Sequence, residues 1–139
     1  EVASAHLTLD YSRPRKRGRE IFGGVVPWHQ VWRAGANSAT HLTTDRDLRV
    51  GHNVIPAGAY TLWMLPDPSG SKLIVNRQTG QWGTDYDSTR DLVRLDLARY
   101  TLPSPVEDFT IAIAPRDSGG VLTLSWDATA FFLPFTVAR

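Results

Sequence analysis

The amino-acid sequence predicts an all-β fold, a two-layer β-sandwich or flattened barrel of roughly nine short, mainly antiparallel strands. Three observations predict it. Short alternations of β-branched and aromatic residues return along the whole chain. Gly, Pro, Asn and Asp clusters separate them at the roughly 8 to 12 residue spacing of two-layer β folds. Helical periodicity is nearly absent.

The elements follow from that pattern in chain order. From His6 to Tyr11, Leu7, Leu9 and Tyr11 fall on one face and His6, Thr8 and Asp10 on the other, the period of two expected of a half-buried strand. Arg13-Pro14 breaks it. The basic, Gly-rich stretch from Arg15 to Gly24 leads into Val25-Val26-Pro27-Trp28, where Pro cannot donate a ladder hydrogen bond, so a long ordered connection is expected there. Ser38–Asp45 and Leu48–Val50 read as strands, and turn chemistry at Gly51-His52-Asn53 precedes a further extended piece ending at Pro56-Ala57-Gly58. Ala59–Leu65 is bulky on both faces, which predicts a central strand covered on two sides. Asp67-Pro68-Ser69-Gly70 turns it into Lys72–Arg77 as a hairpin. Leu92–Ala98 points Val93, Leu95 and Leu97 inward. Phe109–Ala114 and Val121–Trp126 form a second hairpin through Asp117-Ser118-Gly119-Gly120, and Ala130–Val137 is the last strand.

The totals set limits on function. A chain of 139 residues is expected to form one domain, 1–139, and to bury roughly two thirds of its unfolded surface. Fifteen Lys and Arg against fourteen Asp and Glu leave a net charge of +1, so no global field steers the protein toward nucleic acid or an anionic membrane. No apolar run approaches the ~18 residues of a membrane-crossing helix, so no transmembrane segment is expected. The absence of cysteine rules out disulfides, thiolate metal sites and a Cys nucleophile. The chain begins at Glu1 without an initiator Met, which fits either a cut N-terminus or a mature product whose leader has been removed.

A longer signature runs through these elements. Asp10-Tyr11-Ser12-Arg13-Pro14 is followed by Gly18-Arg19-x-Ile21-Phe22-Gly23, then Val26-Pro27, then Val31-Trp32-Arg33-x-Gly35-Ala36-Asn37-x-Ala39-Thr40. Pro56-Ala57-Gly58-x-Tyr60, Asn76 and Gln81-Trp82-Gly83 continue it. In this order the chain resembles the bacterial domain of unknown function 2911 family (DUF2911). The resemblance implies a compact β-rich domain, commonly behind an export signal, and hence an extracytoplasmic place: periplasmic, cell-surface or extracellular. It implies no reaction. Trp28, His29 and His41 depart from the family pattern, which separates those histidines from any shared task.

Several constellations carry chemistry. Arg33 offers a planar fork of donors suited to carboxylate or phosphate, Asn37 donates and accepts, and both follow the Trp28 and Trp32 rings. The same residues also suit a structural role, Arg33 satisfying loop carbonyls and Asn37 taking a strained turn position. Arg13, Arg15, Lys16, Arg17 and Arg19 form the densest positive run, but it lacks interleaved aromatics and a recognition helix, which argues against nucleic acid. His6, His29, His41 and His52 show no metal-binding spacing, although lateral pairing of the strands would set His6, Thr8 and Asp10 beside His41, Thr43 and Asp45. Asp85, Asp87 and Asp91 resemble half a calcium loop without its Gly and distal Glu. No metal and no cofactor is expected. Trp63, Trp82, Trp126 and Tyr86 suit stacking on sugar rings wherever they are exposed, and Trp82, between Gly80 and Gly83, is the best candidate.

Two functional readings follow. The first is a non-enzymatic module that binds a surface polymer such as a glycan, or associates with copies of itself through edge strands or termini. Its candidate ligand-binding residues are Arg33, Asn37, Trp82, Tyr86, Arg19 and Asp10. The alternative is a small-molecule enzyme with a pocket around Arg33, Asn37 and Asp10, a carboxylate such as Asp10 or a nearby His doing acid–base work. Hydrolase nucleophile signatures are lacking, so the sequence leans away from catalysis.

Overall fold

The structure is a computed structural model that describes residues 7–11, 14–24, 26–32, 34, 40–67, 70–77, 91–116 and 118–137, with the backbone alone at position 10. Nine strands make two antiparallel sheets, and no helix occurs among the described residues. They are β1 (Leu7–Asp10), β2 (Thr40–Thr44), β3 (Leu48–Val50), β4 (Asn53–Ile55), β5 (Gly58–Leu65), β6 (Lys72–Asn76), β7 (Asp91–Asp96), β8 (Ala98–Arg116) and β9 (Gly119–Val137). One sheet runs β1-β2-β5-β6-β7 and the other β4-β3-β9-β8. An open all-β sandwich is the architecture that the alternation and the turn residues predict.

The central strand β5 is covered on both faces. Tyr60, Leu62 and Met64 enter the main core, while Trp63, 2% exposed, packs with Ile74 beneath Val31 and Leu65 on the opposite face. The Trp63 indole N–H donates to Thr61 Oγ1 at 3.1 Å, so burial of the ring leaves no polar atom unsatisfied.

Several strand boundaries differ from the sequence reading, β8 beginning at Ala98 instead of Phe109 and β9 at Gly119 instead of Val121 among them, and two differences have a local physical reason. Val121–Trp126 and Ala130–Val137 are parts of one strand, β9. Asp127 has a φ of 52° and the β8–β9 register shifts beside it, so a bulge flips the phase of the alternation from Leu122, Leu124 and Trp126 inward to Phe131, Leu133 and Phe135 inward. A phase flip in sequence looks like a break between strands. The run Leu92–Ala98, in contrast, divides at Leu97, whose N–H donates to Ser71 O at 3.0 Å as the chain leaves one sheet and enters the other as β8.

The connection between β1 and β2 is ordered where it is described. Its first part lies along the free edge of β8: Phe109 N–H donates to Pro14 O at 2.9 Å and Lys16 N–H to Glu107 O at 2.8 Å. Charge accompanies the backbone pairing, with Lys16 Nζ 2.7 Å from Asp127 and Arg15 Nε 3.5 Å from Asp108. Further on, Trp32 exchanges backbone hydrogen bonds with Met64 at 2.7 and 2.8 Å, next to the row that β2 occupies lower on β5. Its ring stacks on Trp126 with centroids 6.0 Å apart and meets Phe109 edge-on at 5.0 Å, so one connection residue ties both sheets.

Candidate functional site

The most distinctive surface is the outer face of the β4-β3-β9-β8 sheet, and a close backbone approach shapes it. The end of β9 returns beside its own beginning, Val137 N–H donating to Ser118 O at 2.9 Å. Glycine is required there. A Cβ on Gly119 would run into Phe135 O and lie 2.6 Å from Thr136 Cα, and one on Gly120 would lie 2.9 Å from Ala114 O. The return of the hairpin brings side chains far apart in sequence to one surface.

Two open concavities, each of about 500 Å³, lie on this face and share Arg116 and Pro134. Tyr100 and Phe132 stand at one side, with Ala98, Ala114 and Thr123 as the small floor. Arg49 stands at the other, with Ser118 and Thr136 offering hydroxyls. Tyr100 is 59% exposed and meets Phe132 edge-on, with centroids 4.8 Å apart and planes at 90°. That contact props the Tyr100 ring while more than half of the residue stays open to solvent. Arg49 and Arg116 are both exposed, and among the described residues neither side chain has an ion-pair or hydrogen-bond partner. No acidic side chain lines either concavity among the described residues. The face therefore combines an aromatic platform, hydroxyls and uncompensated positive charge.

The second kind of cavity is narrow, and its partly exposed Leu7, Val50 and Ile113 leave it short of fully closed. A void of about 30 Å³ lies between the sheets, walled by side chains such as Leu42, Leu48, Leu62, Val75, Leu122 and Leu133, and it presents no polar surface. Water has no hydrogen-bond partner there, so the void belongs to the core.

Residues 1–135 match the family described as "Protein of unknown function (DUF2911)". The chain belongs to that family. No curated protein and no solved structure gave a match.

In this DUF2911 member the residues singled out from the sequence are distributed as follows. Arg33, Asn37, Trp82 and Tyr86 lie outside the described residues, as do His6, Asp85 and Asp87. The backbone of Asp10 is in β1, opposite His41 of β2, with Thr8 opposite Thr43, so the two polar rows stand side by side as lateral pairing predicts. Arg19 directs Nε to Lys16 O at 3.0 Å and Nη2 to Arg15 O at 2.7 Å, which pins the loop that carries it. Trp126, 1% exposed, is a core residue whose indole donates to Glu107 O at 2.9 Å. Asp91 accepts from Asn76 Nδ2 at 2.8 Å and from Arg94 Nε at 3.2 Å. His29 is exposed, with a φ of 63°, and holds Asp67 at 3.1 Å through Nδ1. Among the described residues no group of three or more His, Asp or Glu side chains is arranged to hold a metal ion.

Sequence reasoning did not single out Arg49, Tyr100 or Arg116. Their one local signal is alternation: Arg116 and Ala114 are outward on a strand whose Ile111 and Phe109 are inward. Nothing local states that the two halves of the hairpin share a surface.

Proposed function

We propose that this protein is a non-enzymatic, extracytoplasmic binding module that holds a surface glycan on the outer face of the β4-β3-β9-β8 sheet. The observation that carries the reading is Tyr100, a large ring left open on the wall of a concavity instead of being buried in the core. Aromatic faces cover the apolar faces of pyranose rings, and hydroxyls such as that of Thr123 supply orientation. The compartment rests on the export signal that commonly accompanies the family.

The form of the four-stranded sheet supports polymer binding over self-association through its edges. At one edge β4 is three residues long and is followed by Pro56. At the other, β8 is covered by Pro14 to Lys16, gives its Ile111 N–H to Tyr11 Oη at 3.1 Å, and carries Pro103, Pro105 and Pro115. Short length, covering and proline are the devices that keep an edge strand from pairing with another chain.

Affinity electrophoresis through gels containing a neutral glucan, xylan or polygalacturonate tests the proposal. At least one polysaccharide is expected to retard the protein, and Tyr100→Ala is expected to abolish the retardation without lowering the melting temperature. Unretarded migration through every gel, or equal retardation of the variant, overturns it.

A further inference from the structure

We infer that the polymer held on this face is acidic, a glycan bearing carboxylate or sulfate groups, and that Arg49 and Arg116 are the residues that select it. The inference rests on the glycan-binding reading and adds the class of ligand.

Several surface cations of this chain have partners of their own. Arg15, Lys16, Lys72 and Arg94 stand beside Asp108, Asp127, Asp96 and Asp91 respectively, and Arg19 is spent on two carbonyl groups. Those positive charges are answered within the protein. The side chains of Arg17, Arg46, Arg77 and Arg99, like those of Arg49 and Arg116, are exposed without an ion pair or hydrogen bond among the described residues. What sets the last two apart is that they converge. Arg49 and Arg116 come from different strands, line the same concavity, and have no such partner among the described residues. They are brought together only because the end of β9 returns beside its start: Arg49 is opposite Thr136 near that end, and Arg116 is opposite Gly119 at that start. Two guanidiniums on one wall repel each other, and an anion between them turns that repulsion into attraction.

Guanidinium chemistry names the anion. Its planar fork matches the two oxygens of a carboxylate or the oxygens of a sulfate, and it stays charged at any physiological pH. Pro134 and Phe135 provide apolar wall between and beside the cations, and Arg116 also borders the concavity that holds Tyr100. A sugar on Tyr100 and an acidic group on Arg116 thus fit one chain crossing the shared wall. Neither concavity presents a carboxylate that would repel such a ligand, among the described residues.

Binding of the whole protein to polygalacturonate, chondroitin sulfate and uncharged dextran, measured by titration calorimetry, tests this. The acidic polymers are expected to bind more tightly than dextran, by about fivefold for each exposed guanidinium engaged. Arg49→Gln combined with Arg116→Gln should bring both down to the level of dextran, while affinity for dextran is unchanged. Raising salt from about 0.02 M to about 0.5 M, which shortens the screening length several-fold, should remove the preference as well. Tighter binding of polygalacturonate than of chondroitin sulfate assigns carboxylate as the selected group, and the reverse order assigns sulfate. Equal affinity for dextran and the acidic polymers, or a preference that survives in the double variant, overturns the inference and leaves glycan binding standing. Binding of none of the three, with the fold intact by circular dichroism, overturns the inference, and glycan binding falls with it when migration is also unretarded in every gel.

Discussion

The interior of the sandwich is filled in two different ways. Where the β1–β2 connection crosses, four rings interlock: Tyr11 meets Phe109 edge-on at 6.0 Å, and Phe109 and Trp32 both meet Trp126. Around Leu42, Leu62 and Val75 the core is aliphatic and leaves a void of about 30 Å³. Large rigid rings bridge a gap whose one wall is irregular backbone, and their polar atoms tie it to the edge strand β8, as when Tyr11 Oη serves both the N–H and the carbonyl of Ile111. Branched aliphatic chains pack well between two regular sheets but cannot follow every change in spacing, and a space too small for another side chain stays empty.

That contrast can be broken most directly at Trp32. Trp32→Ala is expected to cost about 3 to 5 kcal/mol, seen as a lower midpoint in urea unfolding, because the ring contacts both Phe109 and Trp126 across the sheets. A loss below about 1 kcal/mol, the scale of a surface change, shows that the aromatic region is not what ties the connection to the core.

A smaller effect is expected at Tyr60, where the aliphatic region has its own polar link. Its phenol donates to Pro56 O at 2.5 Å, and burial raises its pKa above the ordinary value of 10.0, with Arg77 lowering it in part and Asp47 adding to the rise. A group whose pKa is higher in the folded state loses its proton first in the unfolded chain, so stability is full below about pH 10 and falls as pH rises through the folded value. Tyr60→Phe is expected to cost about 1 kcal/mol at neutral pH and to remove that part of the alkaline loss. Identical alkaline unfolding curves for the two proteins exclude Tyr60 as its source.

The smallest effect is a gain. Val75→Ile adds one carbon beside the void and is expected to raise stability by about 0.8 kcal/mol, readable as a higher melting temperature. A loss of about 1 to 3 kcal/mol instead marks overpacking, and with it a void that the added carbon cannot reach.

Much of the fold was legible because burial between two layers has a period of two along the chain. Leu95 and Leu97 against Arg94 and Asp96 show it, and so does β5 with bulk on both faces. The hairpin turns announced themselves through Asp, Ser and Gly. Less legible were Asp127, where a bulge inverted the alternation inside one strand, and Leu97, where the chain changed sheets without a turn signal. The candidate surface was hardest to see. Arg49, Tyr100 and Arg116 are each unremarkable outward residues of a strand, and none is flanked by a motif.

The sequence by itself determined the strand content, the lack of thiol chemistry and membership of DUF2911, because each depends on residue types and local spacing. Tertiary structure alone decided which outward residues share a surface. Two glycines let the end of β9 lie against its start, and that contact, between positions some sixteen residues apart along one strand, has no local signature. Period two says which way a side chain points, but the side chains it meets depend on how a long hairpin bends.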